Sequence, residues 1–455
     1  MQRYRHAPLL SLGLGLLAVG ACSAPSRRDN LDATVRLVAG QVTAPLLWRL
    51  DPQADAAARE QAEALFVDGL TLEESIRVAF LASPELQLAL EKLEISRADF
   101  VLATTISNPV VVAGTRQPQG DLAAFYPDRT ISFGIVQSVV GLLTMPGRIG
   151  VAKHDLEQAR HEAANSAVRL AGLVAQAWMD YCAELQMRDL NERAIAVTQT
   201  AFDNLVAARA GTDELIEGRG ELLSRQRDLV RATLAVSKAR ADLEEQMGIA
   251  GWRDDWTVQQ NLPPLPAADP DPVVEEQAAM QRRLDLRAAN EAIEARLRLL
   301  SHRRLFRWLN QLDIGVFRDQ VVGGTSFTGP NVAIELPLFD TRHAQVLNAD
   351  AELRSELRRL EVARLTARRE IRTAAAEMVA TRQLLEQVER EILPILRQQQ
   401  ADPAGGDPND IQVQNRRLQS MDTEREHVGL LRDYWRARSA LALAAGDWSA
   451  LSGLP

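Results

Sequence analysis

Only two cysteines, Cys22 and Cys182, occur in 455 residues, which rules out a disulfide framework and a cysteine-rich metal site. Aromatic residues are scarce at 5%, and long stretches dominated by Ala, Leu, Arg, Glu and Gln argue for long helices rather than several globular domains. No run of about 18 apolar residues occurs, so no helix is expected to span a membrane. Basic charge is not in excess either. The formal net charge is −9, against the basic face that nucleic-acid binding needs. The eight methionines are scattered, so no copper-like cluster stands out. His154 and His161 lie seven apart on one helix face without the carboxylates or thiolates of a metal set. No phosphate-cradling glycine loop and no nucleophile motif is present. Nothing supports an enzyme, and no cofactor is expected.

Arg3 and Arg5 followed by the short apolar stretch Ala7–Ala18 make residues 1–21 an export signal. It ends at Val19-Gly20-Ala21-Cys22, which resembles a bacterial lipobox and implies that Cys22 is acylated. Cleavage there removes two arginines and takes the formal charge from −9 to −11. Residues 22–69 then form an acylated tether. Cys182 would be left without a disulfide partner, as a packed thiol.

The rest of the chain reads as two repeats, 70–247 and 276–446, joined by a Trp- and Pro-rich connector at 248–275 and ending in a tail at 447–455. Ser83-Pro84-Glu85-Leu86 is answered two hundred residues on by Arg283-Leu284-Asp285-Leu286, and Glu91-Lys92-Leu93-Glu94 by Glu291-Ala292-Ile293-Glu294. Arg148 and Gly211 bracket one long helical stretch; Arg342 and Gly405 bracket another of equal length, and an Asp follows each glycine by two, Asp213 and Asp407. Such a helix would span on the order of 95 Å. Leu353, Leu357, Leu360, Arg364, Ala367, Ile371, Ala374, Met378, Thr381, Leu385, Val388, Ile392 and Ile395 alternate in steps of four and three, a coiled-coil seam. Leu156, Ala163, Leu170 and Ala177, with Ala167, Val174 and Tyr181 interleaved, form its counterpart. Pro394 should kink or shorten the second helix.

Between the helices, four short runs alternate: near 110–115, 130–137, 312–318 and 331–338. Ile131, Phe133 and Ile135 share one face; Leu312, Ile314 and Val316 do so in the third run, and Val332, Ile334, Leu336 and Leu338 in the fourth. One apolar and one small or polar face is the pattern of a barrel strand. Four strands cannot close a barrel, and open edges are not tolerated in hydrocarbon. An oligomer follows, and three chains would give 12 strands, an even number within the known range. Phe125-Tyr126, Phe306, Trp308 and Phe339 flank the strands, where aromatic girdles sit.

Leu70-Thr71-Leu72-Glu73-Glu74-Ser75-Ile76, Ser107-Asn108-Pro109, Gly329-Pro330 and Leu336-Pro337-Leu338-Phe339-Asp340 before Arg342, in this order, resemble the TolC-like outer-membrane efflux protein family, over about Leu70 to Gly446. The resemblance implies a mainly α fold: long antiparallel coiled-coil helices forming a helical barrel, plus four strands per chain in a shared 12-strand trimeric barrel. It implies a homotrimer in the outer membrane, a periplasmic adaptor and an inner-membrane pump as partners, and a passive conduit for small molecules or metal ions. By position it makes the tips Arg209–Glu217 and Asp402–Asp410 the periplasmic entrance, with Asp213, Asp407 and Asp410 as gate candidates; these aspartates also suit helix N-caps. The second tip, with Pro403, Gly405, Gly406 and Pro408, departs from the family pattern. Two other readings are a type I protein-secretion channel and a periplasmic coiled-coil structural lipoprotein whose strand-like runs are loops.

Overall fold

The computed structural model describes residues 25–39, 42, 45–117, 119, 129–259, 261–395, 398 and 411–448. Cys22, Phe125, Tyr126, Asp407 and Asp410 lie outside them. The chain divides into two compact units. One takes residues up to Asn30, Leu93–Ala159 and Ala288–Leu360; the other takes Leu31–Lys92, Arg160–Arg287 and Glu361 onward. Each unit therefore draws on both halves of the sequence.

Capping residues start the short helices. Asp51 caps α2 (Pro52–Glu63), which follows α1 (Arg27–Val38). Thr71 and Glu74 form a reciprocal capping box on α3 (Leu72–Ala82). After α4 (Pro84–Thr104) come strands β1 (Val110–Arg116) and β2 (Thr130–Ser138). The helices α5 (Val139–Ala207) and α6 (Thr212–Met247) complete the first half. The second half repeats the order: α7 (Pro272–Arg282), α8 (Leu284–Leu305), β3 (Leu312–Val321), β4 (Ser326–Ile334), α9 (His343–Gln387) and α10 (Ile411–Ala445). Helices α3 and α7 start two hundred residues apart, as do α4 and α8.

Several boundaries differ from the sequence reading: α1 and α2 stand within the expected tether, and α7 begins inside the expected connector. Helix α5 begins at Val139, not Arg148, and runs through Pro146. The Thr144 hydroxyl and the Arg148 guanidinium donate to carbonyls of this first stretch, Val140 and Gly141. Strand β4 starts earlier and stops at Ile334, so Leu336 and Leu338 lie past its end. The coiled-coil seam loses its phase near Pro394. Leu360, Ala367, Ile371, Ala374, Met378, Leu385 and Val388 are buried as expected, but Leu393 is buried in place of Ile392. Pro394 cannot donate to the carbonyl four residues back. A π turn at Val388–Ile392 precedes it, with the Leu393 N–H bonded to the Val388 carbonyl. That turn inserts one residue and rotates the following side chains.

The unit that contains Arg160–Arg287 carries the larger core, built around Trp178, Trp256, Tyr434, Trp435 and Met378. Each buried indole needs an acceptor for its N–H. Trp178 finds the Leu70 carbonyl at 3.1 Å, Trp435 the Pro263 carbonyl at 2.8 Å, and Trp256 the Glu244 carboxylate at 3.0 Å. The connector thus lies along the helices of its own unit. Asp269 within it accepts from the Tyr434 hydroxyl at 2.6 Å and from Arg382 and Arg438 at 2.9 and 3.2 Å. Gly248, at φ +73°, turns the chain out of α6 where a Cβ would sit 2.8 Å from the Ser83 backbone.

Candidate functional site

The four strands form one antiparallel sheet in the order β1-β2-β3-β4. Register places Val111 beside Ile135, Ile135 beside Val316 and Val316 beside Pro330, a row crossing every strand. Ile314 pairs with Val332 and Leu312 with Ile334 on the same face. Apart from half-buried Leu312, these side chains are exposed in the single chain, as is Phe133 on the same face, with Phe133 at 57% and Ile135 at 60%. The opposite face is mixed: Ser132, Gly134, Asp313, Asp319 and Asn331 share it with Val110, Val112, Val136, Phe317 and Phe327. Strands β2, β3 and β4, of nine, ten and nine residues, match the roughly 9–11 that a tilted barrel strand needs, and β1 is shorter at seven.

Two features decide what this sheet can do. Its apolar face is turned to solvent, where a water-soluble sheet would cover it. Its outer edges, on β1 and β4, pair with no strand among the described residues. In hydrocarbon, a sheet with both edges open would demand partner strands. Inside it, Phe317 lies over Gly134: a Cβ on Gly134 would come within 2.5 Å of the ring. Sequence reasoning missed this pair, for which a glycine inside a strand was the only signal.

The first helical tip is a second feature, in the other unit. Helix α5 ends with the Ala210 N–H bonded to the Leu205 carbonyl at 3.0 Å and the Arg209 N–H to Val206 at 3.1 Å. Arg209 takes the left-handed position, φ +52°, that glycine commonly fills. Gly211 is instead the N-cap of α6, its N–H donating to the Glu214 carboxylate at 3.2 Å. Asp213 is therefore not the cap. It lies exposed in the first turn, where its charge suits the helix N-terminus. Farther along, Arg225 of α6 grips Asp422 of α10 at 2.8 and 3.1 Å beside a polar groove of about 400 Å³.

His154 is bound to Glu291 at 2.7 Å, and no metal-binding group of His, Cys, Asp and Glu occurs among the described residues. Cys182 is buried, donates to the Gln259 carbonyl and has its pKa pushed up by desolvation, the state of a packed thiol.

No family model and no curated protein matches the chain. Solved structures do. CusC, described for its transmembrane channel formation, aligns at TM-score 0.66 with 15% identity, over 85% of this chain and 94% of its own. The open outer-membrane channel MtrE of Neisseria gonorrhoeae aligns at 0.65 with 15% identity, over 83% and 89%. The outer-membrane channel OprN gives 0.66 and 15%, over 90% and 95%. At such identities the likeness is one of fold. The chain has the TolC-like fold of outer-membrane channel proteins: mainly helical, in two repeats, with one four-stranded antiparallel sheet.

Proposed function

We propose that the chain is one subunit of a homotrimeric outer-membrane channel, a passive export conduit for small molecules or metal ions. The observation that carries this reading is the open sheet with an exposed apolar face. Three such sheets joined edge to edge close a barrel and leave no unpaired backbone in lipid. The export signal and Cys22 support an acyl anchor in the outer membrane with the helices in the periplasm. A periplasmic adaptor and an inner-membrane pump then supply the energy. The structural-lipoprotein alternative required loops where a paired sheet stands, so that sheet disfavours it. A type I secretion channel would use the same barrel.

The test is the mass of the detergent-extracted protein. Three copies of the 50.2 kDa chain, less the signal peptides, are expected, with conductance in planar bilayers; a stable monomer would overturn the shared barrel. Asp213, Asp407 and Asp410 are proposed to ring the entrance with negative charge. Neutralising all three should lower cation over anion selectivity in the same bilayers, and unchanged selectivity would remove them from the entrance.

A further inference from the structure

Cationic side chains gather at the sheet end that joins the helices, although the chain as a whole is acidic. Arg148 follows the start of α5. His302, Arg303 and Arg304 form the last turn of α8, Arg307 follows it, and Arg342 immediately precedes α9. These segments meet: Arg303 bonds Gln345 at 2.8 Å, Arg304 reaches Asp350 at 3.3 Å, and the His302 ring lies against Gly147. Burial, with Arg303 and Arg148 nearby, holds the His302 pKa below its ordinary value.

A structural role explains part of this group. Cations in the last turn of α8 complement the helix dipole, and Asp350 neutralises Arg304. Arg148, Arg307 and Arg342 have no carboxylate in ion-pair range among the described residues. The Nε atoms of Arg148 and Arg307 and Nδ1 of His302 are buried without a hydrogen-bond partner. Glu335, Asp313 and Asp340 stay charged close by, because their hydrogen bonds come from neutral groups, the Asn310 and Gln311 amides and the Arg342 backbone, but none of them ion-pairs with these three arginines.

Exposed apolar groups accompany these charges. Trp308 carries the Arg307 guanidinium over its ring at 4.6 Å, and Leu305, Leu336, Leu338 and Phe339 are all exposed. Amphipathic rings and guanidinium groups at the end of a lipid-facing sheet match the boundary between acyl chains and headgroups.

We infer that this collar binds the phosphate headgroups of anionic phospholipids in the leaflet at the helical end of the sheet. The inference rests on the outer-membrane reading. Arg307 and Arg342 supply charge-assisted hydrogen bonds to phosphate, while Trp308 and Phe339 lie among the upper acyl chains.

Native mass spectrometry of the detergent-extracted protein, given equal phosphatidylglycerol and phosphatidylcholine, tests it. The native chain is expected to retain several-fold more phosphatidylglycerol. Arg307→Gln and Arg342→Gln should each cut that preference roughly fivefold, the scale of one arginine near an anionic surface. Circular dichroism and oligomer mass check that each variant folds; two separate sites keep the test open if one does not. A trimer that holds both lipids equally, or variants that keep the preference, would overturn the collar and leave the channel standing. A monomer that floats with no vesicle would overturn both.

Discussion

Gly134 shows how one residue shapes the sheet. It leaves room for the Phe317 ring, and Gly134→Ala drives a methyl into that ring. The expected cost is about 1–3 kcal/mol for overpacking, read as a lower thermal midpoint of the assembled protein. Adding Phe317→Ala should recover part of the loss; no recovery would mean that the backbone, not the ring, resists the methyl. Asp180 makes a different case. Its Oδ1 is buried without a hydrogen-bond partner, and Arg436 stands 3.6 Å away. Burial raises the pKa of Asp180 against the pull of Arg436 and Arg432, and that of neighbouring Glu184 against the pull of Arg432. Asp433 and Asp242 push Asp180 the same way as burial. A carboxyl whose folded pKa lies above its unfolded value contributes most when protonated, and that contribution is lost as pH rises through the folded value. Asp180→Asn should therefore gain stability relative to the native chain at pH 7.5, a gain that shrinks at pH 5. Denaturant unfolding at the two pH values checks it, and a gain of equal size at both would remove the ionisation argument.

At the level of elements, the second coiled-coil seam was legible in the sequence from Leu360 to Val388, whereas Leu357, which the heptad also named, is exposed. Beyond it the heptad named Ile392 and Ile395, and the π turn buries Leu393 instead. Leu393→Ala should cost about 2 kcal/mol or more, as for other buried leucines. Ile392→Ala should cost less; the opposite ranking in thermal unfolding would mean that the heptad runs on unshifted. The sheet was equally legible as four alternating runs, because side chains on a strand must alternate. The early end of β4 was not. Leu336 and Leu338 keep the alternating pattern past Ile334, and only backbone pairing shows where the ladder stops.

On the scale of the whole molecule, two attachments are proposed, an acyl chain on Cys22 and a barrel built from three sheets. They are separable. Cys22→Ala should leave a trimer that still floats with lipid vesicles, because the exposed face of β1–β4 remains. A fully soluble variant would place all membrane affinity in the acyl chain. The tip aspartates belong to this scale too. Asp213 was legible as an acidic residue at a turn, but only the structure shows that Gly211 holds the cap and frees the carboxylate.

Local spacing along the chain carries the opening helix around Thr71, the heptad seams, the strand alternation, and the offset of two hundred residues between matching helices. These follow from bond geometry and side-chain periodicity along one element. Tertiary structure decided what depends on distant residues meeting. It set β2 beside β3 across some 180 residues of chain, gave the indoles of Trp178 and Trp435 their backbone acceptors in Leu70 and Pro263, and laid Phe317 over Gly134. No single stretch of sequence contains those choices, because each hydrogen bond or contact needs a partner whose position only the folded chain supplies.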